Sequence, residues 1–281
     1  MPCGLFCLYY IVKIRPPVTF QGGKQRLAPA IIDIIKPSPD EPFSDLCCGS
    51  GAVTIEAVSR GHEPRLVTMV DNGPWGQVWE EVGAGRFSLD ALERVAAAVP
   101  TKVEHQAGFL AELFKQPATI DTTATFLVLQ AGSFGGAAVV RKPNDTWYGH
   151  PRKMWISEKD PRKRTGTMMP ATTEIQRRMQ VVCDLLLGVQ VRSECFANTA
   201  EMTGTVYIDP PYAGFRSYNN RKVPIYDFGS IAKKHARAKV WVSEARALSS
   251  TAYLLTDAAG RKMGGISGTR KTANEEWLSL C

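Results

Sequence analysis

At 281 residues, with 44% hydrophobic and 22% charged residues, the chain can bury a full core in one or two domains and has the composition of a soluble globular protein, not of a disordered or fibrous one. The formal net charge of +7 favours an acidic partner. Seven cysteines (3, 7, 47, 48, 183, 195 and 281) form neither a Cys-x-x-Cys pair nor a Cys/His cluster of zinc spacing. Their odd number and the adjacent pair in an apolar run argue against a secreted disulfide framework, so a cytoplasmic protein with no metal is expected.

The apolar residues 5–12 are too few to span a bilayer and lack the flanks of a signal peptide. They are expected to form a loose extension or an edge strand, and no membrane association is expected. Residues 25–36 carry apolar side chains at 27, 31, 34 and 35, a helical spacing stopped by Pro37. Residues 43–48 read as a strand, Gly49-Ser50-Gly51 as a turn and residues 52–60 as a helix closed by Gly61. A second strand is expected at 66–70, then helices at 74–82 and 88–98, the latter capped by Ser88. Residues 126–130 are apolar, and the basic Gly/Pro/Trp-rich stretch 132–170 interrupts the alternation. Helices are expected at 173–187 and 225–235, and strands at 189–195, 206–209, 240–243, 252–256 and 277–280. Strands alternating with helices predict an α/β fold, a doubly wound and mostly parallel sheet. The stretch 132–170 is expected to be a subdomain inserted into it.

Three segments suggest chemistry. In "FSDLCCGSGAVTIEA" a glycine turn joins a buried strand to a helix, where backbone can approach a ligand at a helix N-terminus. No G-K-[ST] follows, so this is no phosphate-binding P-loop. "LVTMVDN" ends the next strand in Asp71, about twenty residues on, the place of an acid that accepts from ribose hydroxyls. In "VYIDPPYAGF" the strand must end at Asp209, because Pro210 and Pro211 cannot continue a sheet ladder. Asp209 and the proline carbonyls are acceptors and Tyr212 offers a flat face, a set suited to a planar ring bearing an exocyclic amine. "TFQGGK" precedes the first helix; two glycines and a lysine there could hold a carboxylate or phosphate.

Between Arg141 and Arg164 eight Lys/Arg face three acids (Asp145, Glu158, Asp160), a net of +5. Trp147, Tyr148 and Trp155 are interleaved with these charges. Such a segment is expected to meet nucleic acid, its cations on phosphates and an aromatic available to fill the gap left by a flipped base.

Taken in order, F-x-G-G-K, the glycine turn, D-N, the basic insert and D-P-P-Y resemble the Dam-like (D12 class, alpha-group) DNA adenine-N6 methyltransferases, from about Phe20 to the C-terminus. The block "LQAGSFGG", residues 129–136, is similar to one in phage and prophage members. The resemblance implies a Rossmann-like methyltransferase domain (1–131 and 171–281) with a target-recognition segment at 132–170. It implies S-adenosyl-L-methionine as cofactor and double-stranded DNA as substrate. Phe20, Gly22, Gly23 and Lys24 would meet the methionine end of the cofactor, Asp45, Gly49 and Gly51 its loop, and Asp71 its ribose. Asp209, Pro210, Pro211 and Tyr212 would form the catalytic motif. Arg141, Lys142, Arg152, Lys153, Arg162, Lys163 and Arg164 would contact DNA. Two positions depart from the family: Cys47 stands where a phenylalanine is usual, and no arginine follows Phe134 where GATC-specific members carry a guanine reader, so that specificity does not transfer. The residues also leave open a methyltransferase for another planar amine (cytosine N4, RNA adenine or protein glutamine) and a catalytically decayed nucleic-acid-binding protein.

Overall fold

The computed structural model describes residues 14–118, 121–151, 155–157, 160–165, 169–212, 225–255 and 275–281, with backbone alone in 155–157 and 160–165. Residues 5–12, Arg152 and Lys153 lie outside the described residues, as do the side chains of Trp155, Arg162, Lys163 and Arg164.

The elements run α1 (Ala28–Ile35), β1 (Phe43–Leu46), α2 (Ala52–Ser59), β2 (Val67–Val70), α3 (Pro74–Gly83), α4 (Leu89–Ala97), α5 (Val103–Leu113) and α6 (Thr122–Ala131). There follow two short hairpins, β3 (Val140–Arg141) with β4 (Trp147–Tyr148), and β5 (Trp155–Ser157) with β6 (Asp160–Thr165). The chain continues through α7 (Thr172–Leu185), β7 (Gln190–Arg192), β8 (Gly204–Ile208), α8 (Phe228–Lys234), β9 (Ala238–Glu244), β10 (Ala252–Leu254) and β11 (Trp277–Leu280).

Seven strands make one sheet in the order β10-β11-β9-β8-β1-β2-β7. Every described pairing in it is parallel except those of β11, which runs antiparallel to both β9 and β10. This is the expected doubly wound, Rossmann-like sheet. From β1 the chain winds outward through β2 to β7, then returns to β8 on the other side of β1 and winds the opposite way.

Alternation along the strands builds two cores. Phe43, Val67, Met69, Tyr207 and Trp241 face the larger one, packed with α1 to α7. Leu46, Val70, Val206, Ile208, Val240 and Val242 face the smaller one, against Phe196 and Met202 and partly covered by α8.

Most predicted elements are present, with shifted ends. Ser88 caps α4, its Oγ accepting from Ala91 N at 3.1 Å. The last helix begins at Phe228 instead of 225 because Asp227 caps it, accepting from Ser230 N and Oγ. Residues 126–130 belong to α6, a helix buried on all sides, which an apolar run cannot distinguish from a strand. Helix α5 has no counterpart in the sequence reading. Only Leu110 and Leu113 are buried in it, Gly108 sits inside it, and no side chain caps its start.

The hairpin β3–β4 is packed into the helical layer. Trp147 is 1% exposed and stacks on Phe126 at 6.1 Å, and its backbone N–H donates to Phe114 O. Trp147 is therefore a core residue, which takes it out of the insert's aromatics available to DNA. Arg141, Lys142 and Asp145, its charged neighbours before it in sequence, are exposed, so one short hairpin carries both charge and core.

Candidate active site

Parallel strands wound outward in both directions from β1 leave a crevice beyond their carboxyl ends between β1 and β8, where the winding reverses. Two predicted motifs meet there. The register pairs Leu46 with Ile208, which sets the glycine loop after β1 beside Asp209 after β8.

The loop turns tightly. Cys47, Gly49 and Gly51 have φ of 104°, 47° and 73°. The left-handed region is costly for a residue with a Cβ. Cys47 is held in it by paired hydrogen bonds, its own N–H and that of Cys48 both donating to Val70 O. A Cβ at Gly49 would meet the Phe20 ring at 3.1 Å, and one at Gly51 would meet the Trp79 indole at 2.9 Å. Trp79 Nε1 donates to Gly49 O at 2.7 Å. Gly51 brings no capping side chain to the start of α2, so the first-turn N–H groups of that helix are left for other acceptors.

Asp71 stands at the end of β2. Its Oδ2 accepts from Gly49 N at 3.0 Å and its Oδ1 from Gly73 N at 2.7 Å, so it both clamps the glycine loop and caps the turn before α3. A carboxylate has further lone pairs for an incoming hydroxyl. Burial pushes its carboxyl upward, and the two N–H groups pull it back. Asp45 is 1% exposed beneath the loop, accepting from Thr54 Oγ1 at 2.8 Å. Burial lifts it to about 7, with Thr54 opposing and Asp209 and Asp71 adding. Burial, with Asp71, Asp209 and Asp45 adding, holds the Cys47 thiol well above its ordinary value, so the loop presents a neutral thiol.

Gly22, Gly23 and Lys24 bring a cation across from the segment before α1. Lys24 Nζ lies 2.6 Å from each carboxylate oxygen of Asp209, 3.2 Å from Gly22 O and 5.2 Å from the centre of the Tyr212 ring. The segment is held by the "LQAGSFGG" block. Gln130 is fully buried, and its Nε2 donates to Thr19 O, Gly136 O and Ala137 O while its Oε1 accepts from Val139 N. Gln21 N also donates to Gly136 O, at 2.8 Å. Phe20 packs edge-on against Trp75 at 5.9 Å.

A fourth group was not foreseen. Glu276, at the entry to β11, lies 3.3 Å from Lys24 Nζ and accepts a hydrogen bond from Tyr212 OH. Tyr212 OH also lies 3.4 Å from Asp209 Oδ1. Burial raises Asp209 to about 6, with Lys24 opposing and Glu276 adding. Burial alone would lower Lys24, but Asp209 and Glu276 outweigh it and its affinity for the proton rises. Burial, then Asp209 and Glu276, raise the Tyr212 hydroxyl, so it stays a donor.

The structure thus brings together Phe20, Gly22, Gly23, Lys24, Asp45, Gly49, Gly51, Asp71, Asp209 and Tyr212, with Pro210 and Pro211 joining the last two. Of the predicted DNA-binding residues, Arg141 and Lys142 are described with their side chains. Arg141 is paired to Asp145 at 3.0 Å on the β3–β4 hairpin, and Lys142 is exposed beside it. Glu276 is a site-shaping residue that no motif announced, and Gln130 lies in the "LQAGSFGG" block, to which the sequence reading assigned no role.

Fold and crevice define a doubly wound α/β protein with a glycine loop and acids at its switch point, a candidate ligand site. No family model matches the chain, and no curated protein matches it. Among solved structures it is similar to SMU.472, a presumed methyltransferase crystallised as a complex with SAH. Identity is 12% and the TM-score 0.35, over 93% of this chain and 53% of that one, so this chain spans about half the length of that protein. A score at that level assigns neither family nor ligand. Among the described residues, no group of three or more His, Cys, Asp and Glu could hold a metal, and no helix is long and apolar enough to cross a membrane.

Proposed function

We propose that this chain is an S-adenosylmethionine-dependent methyltransferase that modifies adenine N6 in double-stranded DNA. The observation that carries the reading is the meeting, at the switch point, of the Gly49–Gly51 loop with a half-buried aspartate and a tyrosine at the D-P-P-Y strand end.

The residues fit a nucleoside-bearing cofactor. Glycine at 49 and 51 lets the loop turn tightly against Phe20 and Trp79, the first turn of α2 lacks a side-chain cap, and Asp71 retains lone pairs beside it. Gly49, Gly51 and Asp71 would hold the nucleoside end, and the Gly22–Lys24 turn, supported by Phe20, the other end. S-adenosylmethionine supplies a methyl group on a sulfonium, ready for direct displacement.

The chain's own residues supply orientation and electrostatics. A target base inside a duplex must leave the stack, at a cost of a few kcal/mol. Stacking on Tyr212 returns roughly 1–3 kcal/mol of that. Ionised Asp209 accepts one amine hydrogen and the Pro210 carbonyl the other, directing the nitrogen lone pair away from both. Transfer needs no protein nucleophile, in keeping with the neutral Cys47 thiol: the nitrogen–carbon bond would form as the carbon–sulfur bond breaks to leave a thioether, and the surplus proton on nitrogen would pass to the Asp209 carboxylate. The basic residues of 141–164 would hold the phosphates.

Incubating the purified protein with methyl-labelled S-adenosylmethionine and unmodified genomic DNA, then digesting to nucleosides, tests this. The expected product is N6-methyl-2′-deoxyadenosine, lost by orders of magnitude in Asp209→Ala while cofactor binding survives. Label appearing only in cytosine, in RNA or in protein would replace the substrate assignment. Near-normal transfer by Asp209→Ala would remove the residue's role.

A further inference from the structure

We propose that Glu276 is a positioning residue of this reaction, freeing Asp209 for the target amine by giving Lys24 a second anion, and fixing the Tyr212 ring. The proposal rests on the methyltransferase reading above.

In the described arrangement Asp209 is engaged. Lys24 Nζ lies 2.6 Å from both of its oxygens, and Tyr212 OH is 3.4 Å from one of them. A carboxylate offers about four lone-pair directions, so an amine hydrogen must share or displace the lysine. Displacing it is the difficulty. Lys24 and Asp209 are 8% and 16% exposed, and a buried ammonium stripped of its one anion is strongly penalised.

Glu276 removes that penalty. Its side chain is 12% exposed, and its Oε1 stands 3.3 Å from Lys24 Nζ. With Gly22 O at 3.2 Å, Lys24 keeps a carboxylate and a carbonyl when Asp209 turns to substrate. The same Oε1 accepts from Tyr212 OH, so one atom sets both the ammonium and the plane of the stacking ring. Two carboxylates against one ammonium leave the cluster one negative charge in excess, which suits a cationic methyl donor nearby. The groups facing Asp209 come from several elements: Lys24 before α1, Asp45 on β1, Tyr207 on β8, Tyr212 after it and Glu276 before β11. Glu276 reaches this set only because β11 is antiparallel and enters the sheet from its carboxyl edge.

Glu276→Gln keeps shape and an acceptor for Tyr212 but leaves Lys24 with one anion; Glu276→Ala removes both. Two measurements on the full chain test the idea. The first is single-turnover methyl transfer from S-adenosylmethionine to duplex DNA across pH, with cofactor affinity by calorimetry. The second is a ¹³C titration of Asp209 in the ligand-free protein. For Glu276→Gln we expect roughly a 100-fold slower transfer step with cofactor affinity nearly unchanged, Glu276→Ala being slower still. We also expect the acid limb and the Asp209 titration to move to lower pH, because a neighbouring negative charge is gone. An active wild type with a Glu276→Gln variant of equal rate and unmoved acid limb overturns the proposal. A wild type that neither binds S-adenosylmethionine nor transfers methyl overturns the functional reading instead. The ligand-free titration then judges the interaction by itself, an unmoved Asp209 in Glu276→Gln refuting it. Should Glu276→Ala not fold, the Gln variant carries the test.

Discussion

Asp45 shows how one buried carboxyl couples the site to stability. Its folded-state affinity for a proton is raised, to about 7 from an ordinary 3.8, first by burial. Between those values the folded chain holds a proton that the unfolded chain has released, so stability falls as pH rises through the window, by about 1.4 kcal/mol per pH unit at the steepest. Asp209, raised to about 6, adds in the same direction over the lower part of the window. Asp45→Asn should therefore flatten the decline. Urea unfolding at pH 5 and pH 8 checks this: the difference should be smaller in the variant than in wild type, and an equal difference would show that Asp45 is ionised throughout. Asp45, Asp71 and Asp209 were legible as candidates because each ends, or nearly ends, an apolar strand. Their electrical state was not, because burial and the other acids that set it come from elsewhere in the chain.

At the scale of elements, the block between α6 and β3 is held by one amide. Gln130 serves three carbonyls and one N–H, and through Gly136 and Thr19 it fixes the segment that presents Gly22, Gly23 and Lys24. Gln130→Ala removes the Gln130 bonds to Val139 N and to the Thr19 and Ala137 carbonyls, while Gly136 O keeps its bond from Gln21 N. The expected cost is about 2–4 kcal/mol, given about 1–3 kcal/mol for each buried group left unsatisfied and partial relaxation. Thermal unfolding measures the loss, and cofactor affinity should fall with it because the Lys24 turn loses its support. A variant as stable as wild type would show that the loop re-pairs. Helix α2 was readable from its glycine turn and its closing Gly61, both local signals. Helix α5 was not, since with two buried residues it is specified mainly by what packs on it.

Across the whole molecule, charge is unevenly spread along the chain. The acids of the site gather in the crevice, while a net +5 lies in residues 141–164. If that segment meets the DNA backbone, changing Arg162, Lys163 and Arg164 together to Gln should weaken binding to all sequences alike. The log–log salt dependence should become shallower by roughly 0.9 for each phosphate that is no longer neutralised. Affinity measured at several salt concentrations checks it, cofactor binding staying unchanged. Coincident slopes would move the DNA surface elsewhere.

The amino-acid order by itself determined the alternation of strands and helices, the glycine turn after β1, the acid after β2 and the break at Asp209. These depend on periodicity and on backbone limits of glycine and proline, which act over a few residues. Only the tertiary structure decided that Trp147 is core, that β11 runs backward, and that Lys24, Asp209 and Glu276 form one cluster. Those pairings span 185 residues from Lys24 to Asp209 and 64 from Tyr212 to Glu276. At such separations, which side chains meet is set by strand order, register and burial, and local sequence pattern carries no record of them.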